Sequence, residues 1–329
     1  MKNILIIKGK NSVGGLAIWL KYLLSGFSSR NQKIHTIKPA LSMLGSISKY
    51  DLIHIYEFSI YSLLITIIAQ FNKVPILATI HADFIAGSEH LNPIRRFSIV
   101  SITRFCLKNA TCITTPSTYL KNILHKIKVV DRERIIYIPN PVDLKHIGNI
   151  KPLPRQDNFR VVQITDFRYP QKARAVIDTI RTVRAINNHK IQLIIIGGRG
   201  YFSHFKNKYS SNNIIFKGLM SHNDSLKNIK SADIIVHTSY LDNAPISLLE
   251  AMACSKPITC YDIGGIKELV GNCAIVCHPK EFAKEFRFLF KNRKKKLELS
   301  KKSKLRSQLY SNKIISKRFE SLYNSLIDG

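Results

Sequence analysis

The sequence predicts an α/β protein made of two successive parallel-sheet halves, and three observations carry that expectation. Short apolar runs of strand length alternate with amphipathic segments of helix length from end to end. The rhythm breaks once, at the polar, proline-bearing stretch KPLPRQDN (Lys151–Asn158), and then begins again. At 329 residues the chain is long enough for two separate cores.

In the first half, Asn3–Lys8 is predicted as a buried strand, Gly9–Gly15 as a glycine-bearing loop and Leu16–Leu24 as a helix. Asp51–Tyr56 and Ile76–His81 follow as strands around an apolar helix near Leu63–Gln70, and Thr111–Thr115 and Arg134–Ile138 are the last strands. After the linker come a strand at Arg160–Thr165, a helix at Ala173–Ile186 and strands at Gln192–Ile196 and Asn213–Lys217. A short helix at Ser225–Ser231, a strand at Ile234–His237, a helix at Pro245–Ala253 and a strand at Pro257–Tyr261 complete the repeat of the pattern. Lys284–Arg318 is lysine-rich with recurring Phe, Leu and Ile, and is expected to form one or two amphipathic helices laid on the core. The expected domains are residues 1–150 and 151–329. Two Rossmann-like domains facing a cleft is the economical arrangement, because ligands gather at the carboxyl ends of parallel strands.

Lys and Arg number 51 against 21 Asp and Glu, a net charge of +30. The first 150 residues hold 19 basic and 7 acidic groups and the rest 32 and 14, so the excess is not one basic tail. Such a field attracts nucleic acid, anionic lipid surfaces or phosphorylated ligands. No recognition helix, zinc module or aromatic RNA-binding motif accompanies the charge, so nucleic acid is disfavoured as a partner. The six cysteines include no CxxC pair, and neither a structural metal nor a disulfide scaffold is expected. The chain begins directly with a strand-like MKNILIIK, and its most apolar stretch, Ile60–Ala69, is too short to span a bilayer. The expectation is a cytoplasmic protein that meets a membrane, if at all, from its inner face.

Three glycine-bearing loops could hold phosphate. Gly9–Gly15 is not a P-loop, since Gly14 is followed by Gly15 and Leu16, yet a Gly-Gly pair before a helix lets backbone N–H groups approach an anion. A tight structural turn explains it equally well. Gly197-Gly198-Arg199-Gly200 lacks the third glycine of a dinucleotide fingerprint, which argues against a nicotinamide enzyme. The third loop runs Tyr240-Leu241-Asp242-Asn243-Ala244-Pro245-Ile246-Ser247 into Leu248-Leu249-Glu250. Asp242 or Asn243 is suited to cap a helix that Pro245 opens, and the free N–H groups of its first turn would face an anion. Glu250 is spaced to accept from both hydroxyls of a ribose, and Asp242 to accept from a sugar hydroxyl. A capped amphipathic helix with an incidental glutamate fits the same spacing.

The run from Ile214 to Val270 resembles the donor-binding half of glycosyltransferase family 4, the retaining enzymes of GT-B architecture. The matching pieces are IIFKGLM, KSADIIVHTSYLDNAPISLLEAMACSKPI and DIGGIKELV. Asp242 and Glu250 stand at the two ends of the family's Glu-x7-Glu motif, with Asp in place of the first Glu in an Asp-Asn-x-Pro variant, and Ser255 stands where glycine is usual. Ser12–Gly15 resembles the N-terminal phosphate loop, His81 in ILATIHADF an active-site histidine, and YIPNPVD (Tyr137–Asp143) the segment closing the first domain. In QITDFRYPQKARAV, Lys172 matches the lysine that binds the donor diphosphate. Asp166 occupies the usual arginine position, with Arg168 as a substitute two residues on.

The resemblance implies transfer from a nucleotide-sugar, UDP- or GDP-linked, to an acceptor hydroxyl with retained configuration, and no bound metal or other cofactor. The acceptor would be a glycan, a lipid-linked sugar or another hydroxyl, with an anionic membrane surface as a further partner. It assigns His81, Asp242 and Lys172 to catalysis. Gly14, Gly15, Arg168, Lys172, Lys217, Asn243, Ala244, Pro245, Ile246, Ser247 and Glu250 are assigned to donor binding. A member of the fold that binds a sugar-nucleotide or a partner without turnover is the alternative, motivated by Asp242, Asp166 and Ser255.

Overall fold

The computed structural model of the chain describes all residues except 8–13, 29–30, 38–40 and 156, and only the backbone of 41–43. By contacts the chain forms two compact units, Met1–Pro141 with Asn312–Gly329, and Val142–Ser311.

The first unit is a six-stranded parallel sheet. In chain order its elements are β1 (Lys2–Ile7), α1 (Gly15–Gly26), β2 (Gln32–Ile37), β3 (Leu52–Ile55), α2 (Ile60–Phe71) and β4 (Ile76–Thr79). They continue with α3 (Pro93–Asn109), β5 (Cys112–Thr115), α4 (Thr118–Lys126) and β6 (Ile135–Tyr137). The strand order is β2-β1-β3-β4-β5-β6, every neighbouring pair parallel. Strands β3, β4 and β5 are buried along their whole length, as apolar runs in a doubly covered parallel sheet must be. The cover is fixed locally: Ser59 and Ser62 form a reciprocal capping box on α2, and Asn92 caps α3 with Pro93 behind it.

The second unit repeats the plan with α5 (Leu144–Asn149), β7 (Phe159–Ile164), α6 (Pro170–Ile186), β8 (Ile191–Ile196), α7 (Phe202–Tyr209), β9 (Ile214–Gly218) and α8 (His222–Lys230). Then come β10 (Ile234–His237), α9 (Ile246–Ala253), β11 (Ile258–Tyr261), α10 (Ile266–Val270) and β12 (Ala274–Cys277). The order β12-β11-β10-β7-β8-β9 is again wholly parallel, and β10 beside β7 makes the crossover where the strand order reverses. The expected α/β class and its two Rossmann-like sheets are therefore present.

The C-terminal stretch differs from the one or two helices expected of Lys284–Arg318. It forms three, α11 (Phe282–Lys291), α12 (Arg293–Ser307) and α13 (Asn312–Asp328). Asn292 closes α11 and its side-chain oxygen accepts from the Lys295 N–H at 2.8 Å to cap α12, so one residue splits what periodicity joins. Phe282, Phe286 and Leu289 bury the inner face of α11 in the second core, each contributing roughly 1.5–3 kcal/mol.

The helix α13 belongs to the first unit instead. Ser316 Oγ donates to the Leu23 carbonyl at 2.6 Å, and Tyr323 reaches His54 Nδ1 at 2.8 Å. The division by contacts thus falls after Pro141 and returns the last helix to the first unit, where the sequence reading divides the chain after residue 150. Helix α5 stays with the second unit because Lys230 Nζ donates to the Gly148 and Ile150 carbonyls at 2.9 and 2.6 Å. Among the described residues no helix is long and apolar enough to cross a membrane.

Candidate active site

In the second unit the carboxyl ends of β7 and β10 release the two loops that matter. Thr238, just past β10, accepts from Gln163 Nε2 at 2.8 Å and donates to the Ala175 carbonyl of α6 at 2.8 Å. That pair of bonds ties the start of α6 to the loop after β10, and so brings Lys172 to Asp242. Lys172 Nζ donates to Asp242 Oδ2 at 2.8 Å, and His237 Nε2 lies 3.2 Å from the same oxygen.

Burial alone would raise the Asp242 pKa, but the Lys172 charge and the neighbouring His237 ring outweigh it and hold the carboxyl below the ordinary range. Burial likewise opposes the Lys172 charge, and Asp242 with Asp166 more than reverses it, so the ammonium sits above its usual value. Asp242 is therefore a carboxylate and Lys172 an ammonium at neutral pH. One of three ammonium N–H groups is spent on Asp242, and Oδ1 of Asp242 keeps its acceptor capacity.

The expected capping by Asp242 or Asn243 does not occur. Pro245 is the N-cap of α9 and among the described residues no side chain caps it; the Asp242 carboxylate has turned to Lys172 and His237. Among the described residues the first-turn N–H groups at Ile246 and Ser247 thus have no side-chain acceptor, the condition in which a helix start receives an anion. Asn243 and Ala244 are buried beneath that turn. Gly264 holds the loop down: at φ +58° a Cβ there would stand 1.9 Å from the Asp242 carbonyl oxygen.

Glu250, one turn further along α9, is 3% exposed and its Oε1 lies 2.6 Å from His222 Nε2. The ribose that Glu250 was expected to hold must share the carboxylate with His222. The His222 ring stacks at 6.0 Å on His146, whose Nε2 lies 3.0 Å from Asn223 Oδ1. Sequence reading missed His222 and His237. The only signals were a histidine at a helix start and another at a strand end, patterns that structural histidines share.

Arg168 is placed differently from expectation. Its guanidinium is held by Asp166, Nε to Oδ1 at 3.0 Å and the terminal nitrogen to Oδ2 at 2.6 Å, so its charge is already compensated. The Gly197–Gly200 loop supports this segment and has no need of a phosphate: Tyr201 N–H donates to the Phe167 carbonyl at 3.0 Å, and a Cβ on Gly200 (φ +47°) would meet that carbonyl oxygen at 2.3 Å. Lys217 is exposed on β9 at the sheet edge, and no hydrogen bond or ion pair joins it to the Asp242 cluster among the described residues.

In the first unit, residues 9–13 of the Gly9–Gly15 loop lie outside the described residues. Gly14, at φ +69°, is the N-cap of α1, and Gly15 its first residue. His81 follows β4 and meets Trp19 of α1 edge-on at 4.6 Å. Burial lowers its pKa to about 3 against a hydrogen bond with Asn140 that raises it, so the imidazole is neutral. His54 is a satisfied core histidine, its ring nitrogens 2.8 Å from Tyr323 Oη and 2.6 Å from Thr79 Oγ1. Among the described residues no three His, Cys, Asp or Glu side chains gather as a metal-binding set.

Comparison with known proteins bears on the fold and the two domains. Residues 149–306 match the family of glycosyl transferases group 1, and residues 16–146 match Glycosyltransferase Family 4. The chain is 27% identical over 143 residues to N,N'-diacetylbacillosaminyl-diphospho-undecaprenol alpha-1,3-N-acetylgalactosaminyltransferase of Campylobacter jejuni, covering 42% of this chain and 38% of that protein. It is 21% identical over 244 residues to the alpha-monoglucosyldiacylglycerol synthase of Streptococcus pneumoniae, covering 68% of this chain and 54% of the relative. The chain thus spans about half or less of the length of these relatives. In fold it is similar to Anabaena HepE in complex with UDP-glucose, at a TM-score of 0.79 and 16% identity, over 99% of this chain and all of that one. The two six-stranded parallel sheets give the chain the GT-B fold, with a match to the Glycosyltransferase Family 4 model in the first unit and to the glycosyl transferases group 1 model in the second.

Proposed function

We propose that this chain transfers a sugar from a nucleotide-sugar to an acceptor hydroxyl, with retention of anomeric configuration and without a metal. The observation that carries this reading is the Lys172–Asp242–His237 cluster beside the uncapped start of α9. Transfer breaks the bond between the anomeric carbon and the donor phosphate oxygen and forms one to the acceptor oxygen. Negative charge develops on the departing diphosphate, where Lys172 and the α9 N–H groups supply fixed positive ends without reorganisation. Asp242 keeps Lys172 charged and in place, and its Oδ1 accepts from a sugar hydroxyl. No second carboxylate is assigned as a nucleophile, so the acceptor proton passes to the leaving diphosphate on the same face. Glu250 accepts from the donor ribose; in the first unit, neutral His81 is a hydrogen-bonding imidazole with a proposed catalytic role.

The similarity to a UDP-glucose complex supports a uridine donor over a guanosine one. Relatives named for a diphospho-undecaprenol-linked sugar and for the synthesis of a glucosyldiacylglycerol support a lipid acceptor, met at a membrane surface. Calorimetric titration with UDP and GDP, then assay of transfer from the matching sugars, tests the proposal. Glu250→Gln should weaken nucleotide binding about tenfold, the worth of a charge-assisted hydrogen bond. Absence of any nucleoside diphosphate binding to the intact chain would sink it. The second reading, a donor-binding protein without turnover, is favoured by the carboxylates already paired with Arg168 and Lys172. Tight nucleotide binding with neither transfer nor donor hydrolysis would select it.

A further inference from the structure

At the other end of the second sheet, where β7, β10 and β11 begin, lies a cavity of about 330 Å3. Its lining includes Arg155, Lys256, Arg293 and Lys296, with Ser255 and the carboxylate of Asp233. It is separated from the Asp242 cluster by the length of the strands, about 13–20 Å at their usual rise.

We propose that this cavity is a second anion site, built for a phosphate-bearing ligand. Four cations face one carboxylate, and Asp233 Oδ2 already accepts from the Arg160 N–H at 2.8 Å. Among the described residues the Lys256, Arg155 and Arg293 side chains have no hydrogen-bond or ion-pair partner. Lys296 spends one N–H on the Phe290 carbonyl at 2.6 Å and rests over the Phe159 ring at 4.7 Å. Arg293 opens α12, so the positive end of that helix adds to the field. Burial holds both Lys256 and Lys296 below the ordinary lysine value, the mark of cations partly withdrawn from water without full compensation.

Ser255 supplies an independent observation. Helix α9 ends in a Schellman turn, Ser255 N–H to the Met252 carbonyl at 2.9 Å and Lys256 N–H to the Ala251 carbonyl at 3.0 Å. Its left-handed residue, at φ +55°, is Ser255, where glycine would be free of the Cβ penalty. The strained residue is the one that places a hydroxyl in the cavity wall, and the turn it makes aims the backbone at Lys256.

A phosphate group free in solution and one on a lipid head share this chemistry, and two assays on the full chain separate them. The first is titration with inorganic phosphate, the second flotation with phosphatidylglycerol or phosphatidylcholine vesicles. Lys256→Gln with Arg293→Gln should weaken the binding about tenfold or more, on the scale of charge-assisted hydrogen bonds. Lys206→Gln with Lys208→Gln removes the same charge from an exposed face of α7 and should change it less than about twofold. Lys172→Gln, which acts on the cluster at the other end of the sheet, should leave the size of the loss caused by the cavity variants unchanged. Ser255→Gly relieves the turn, should melt higher than the wild type and should still lose about threefold in affinity, which separates binding from folding. Phosphate binding alone identifies a soluble ligand, and pocket-dependent preference for phosphatidylglycerol vesicles a lipid one; either supports the site. Equal losses in the α7 and cavity variants, loss confined to Lys172→Gln, or no binding in either assay would overturn it.

Discussion

Replacing Asp242 by asparagine keeps the shape of the side chain and removes the charge that Lys172 and His237 share. The Lys172 and Asp242 side chains are 20% and 13% exposed, between a surface pair worth at most about 1 kcal/mol and a buried pair whose rupture costs about 3–5 kcal/mol. A loss of about 2–3 kcal/mol is expected, because Lys172 is left withdrawn from water without the carboxylate it bonds to. For the second unit, Val142–Ser311, that lowers the melting temperature by about 5–10 °C. The folded-state pKa of Asp242 is depressed, so its stabilisation is present above the unfolded carboxyl pKa, about 4, and lost as pH falls below that. Calorimetric melts of wild type and Asp242→Asn should therefore differ by a constant amount from pH 7 to about 4 and converge below it. A difference under about 1 °C at pH 7, or one that widens in acid, would refute the ion-pair account. Transfer activity should fall as well, since Lys172 loses both its position and the neighbour that raises its pKa.

Asp166→Ala frees the Arg168 guanidinium and should tighten nucleoside diphosphate binding roughly three- to tenfold by calorimetry; unchanged affinity would remove Arg168 from the donor site. Gly264→Ala places a methyl group 1.9 Å from the Asp242 carbonyl at a positive φ, so a loss of more than about 3 kcal/mol is expected in denaturant melts, together with nucleotide binding. Tyr323→Phe strips a partner from buried His54 and should cost about 1–3 kcal/mol in the first unit, read by hydrogen exchange on β3 and β4, while nucleotide affinity holds.

The strands of both sheets were legible because buried parallel strands are written as continuous apolar runs, and IIVH, ITCY, LIHI and ILAT are all of that kind. The strands β2, QKIHTI, and β12, AIVC, were not read: both lie at a sheet edge, and in β2 exposed polar positions interrupt the apolar pattern. Helix α3 was missed because its residues show no clean apolar stripe; Ile94 and Phe97 face solvent beside Arg95. In the site, the spacing of Asp242 and Glu250 around a helix start left a binding loop and a plain capped helix equally open, and Lys172 entered through the family resemblance. His222 and His237 were not, since each acts through a partner 28 or 5 positions away that no local pattern names.

By itself the sequence determined the class, because alternation of strand and helix leaves few ways to bury both. It also determined which segments border the loop that leads into α9. Only the tertiary structure decided the charge state of that loop. Whether Asp242 caps α9 or pairs with Lys172 depends on how α6 is pinned beside β10, through bonds between Thr238, Gln163 and Ala175. Tertiary packing also carried α13 back to the first unit, where Tyr323 closes on His54, because that contact joins residues 269 positions apart. Local periodicity sets what an element is; which charges meet is set by distances that exist only after the sheets have formed.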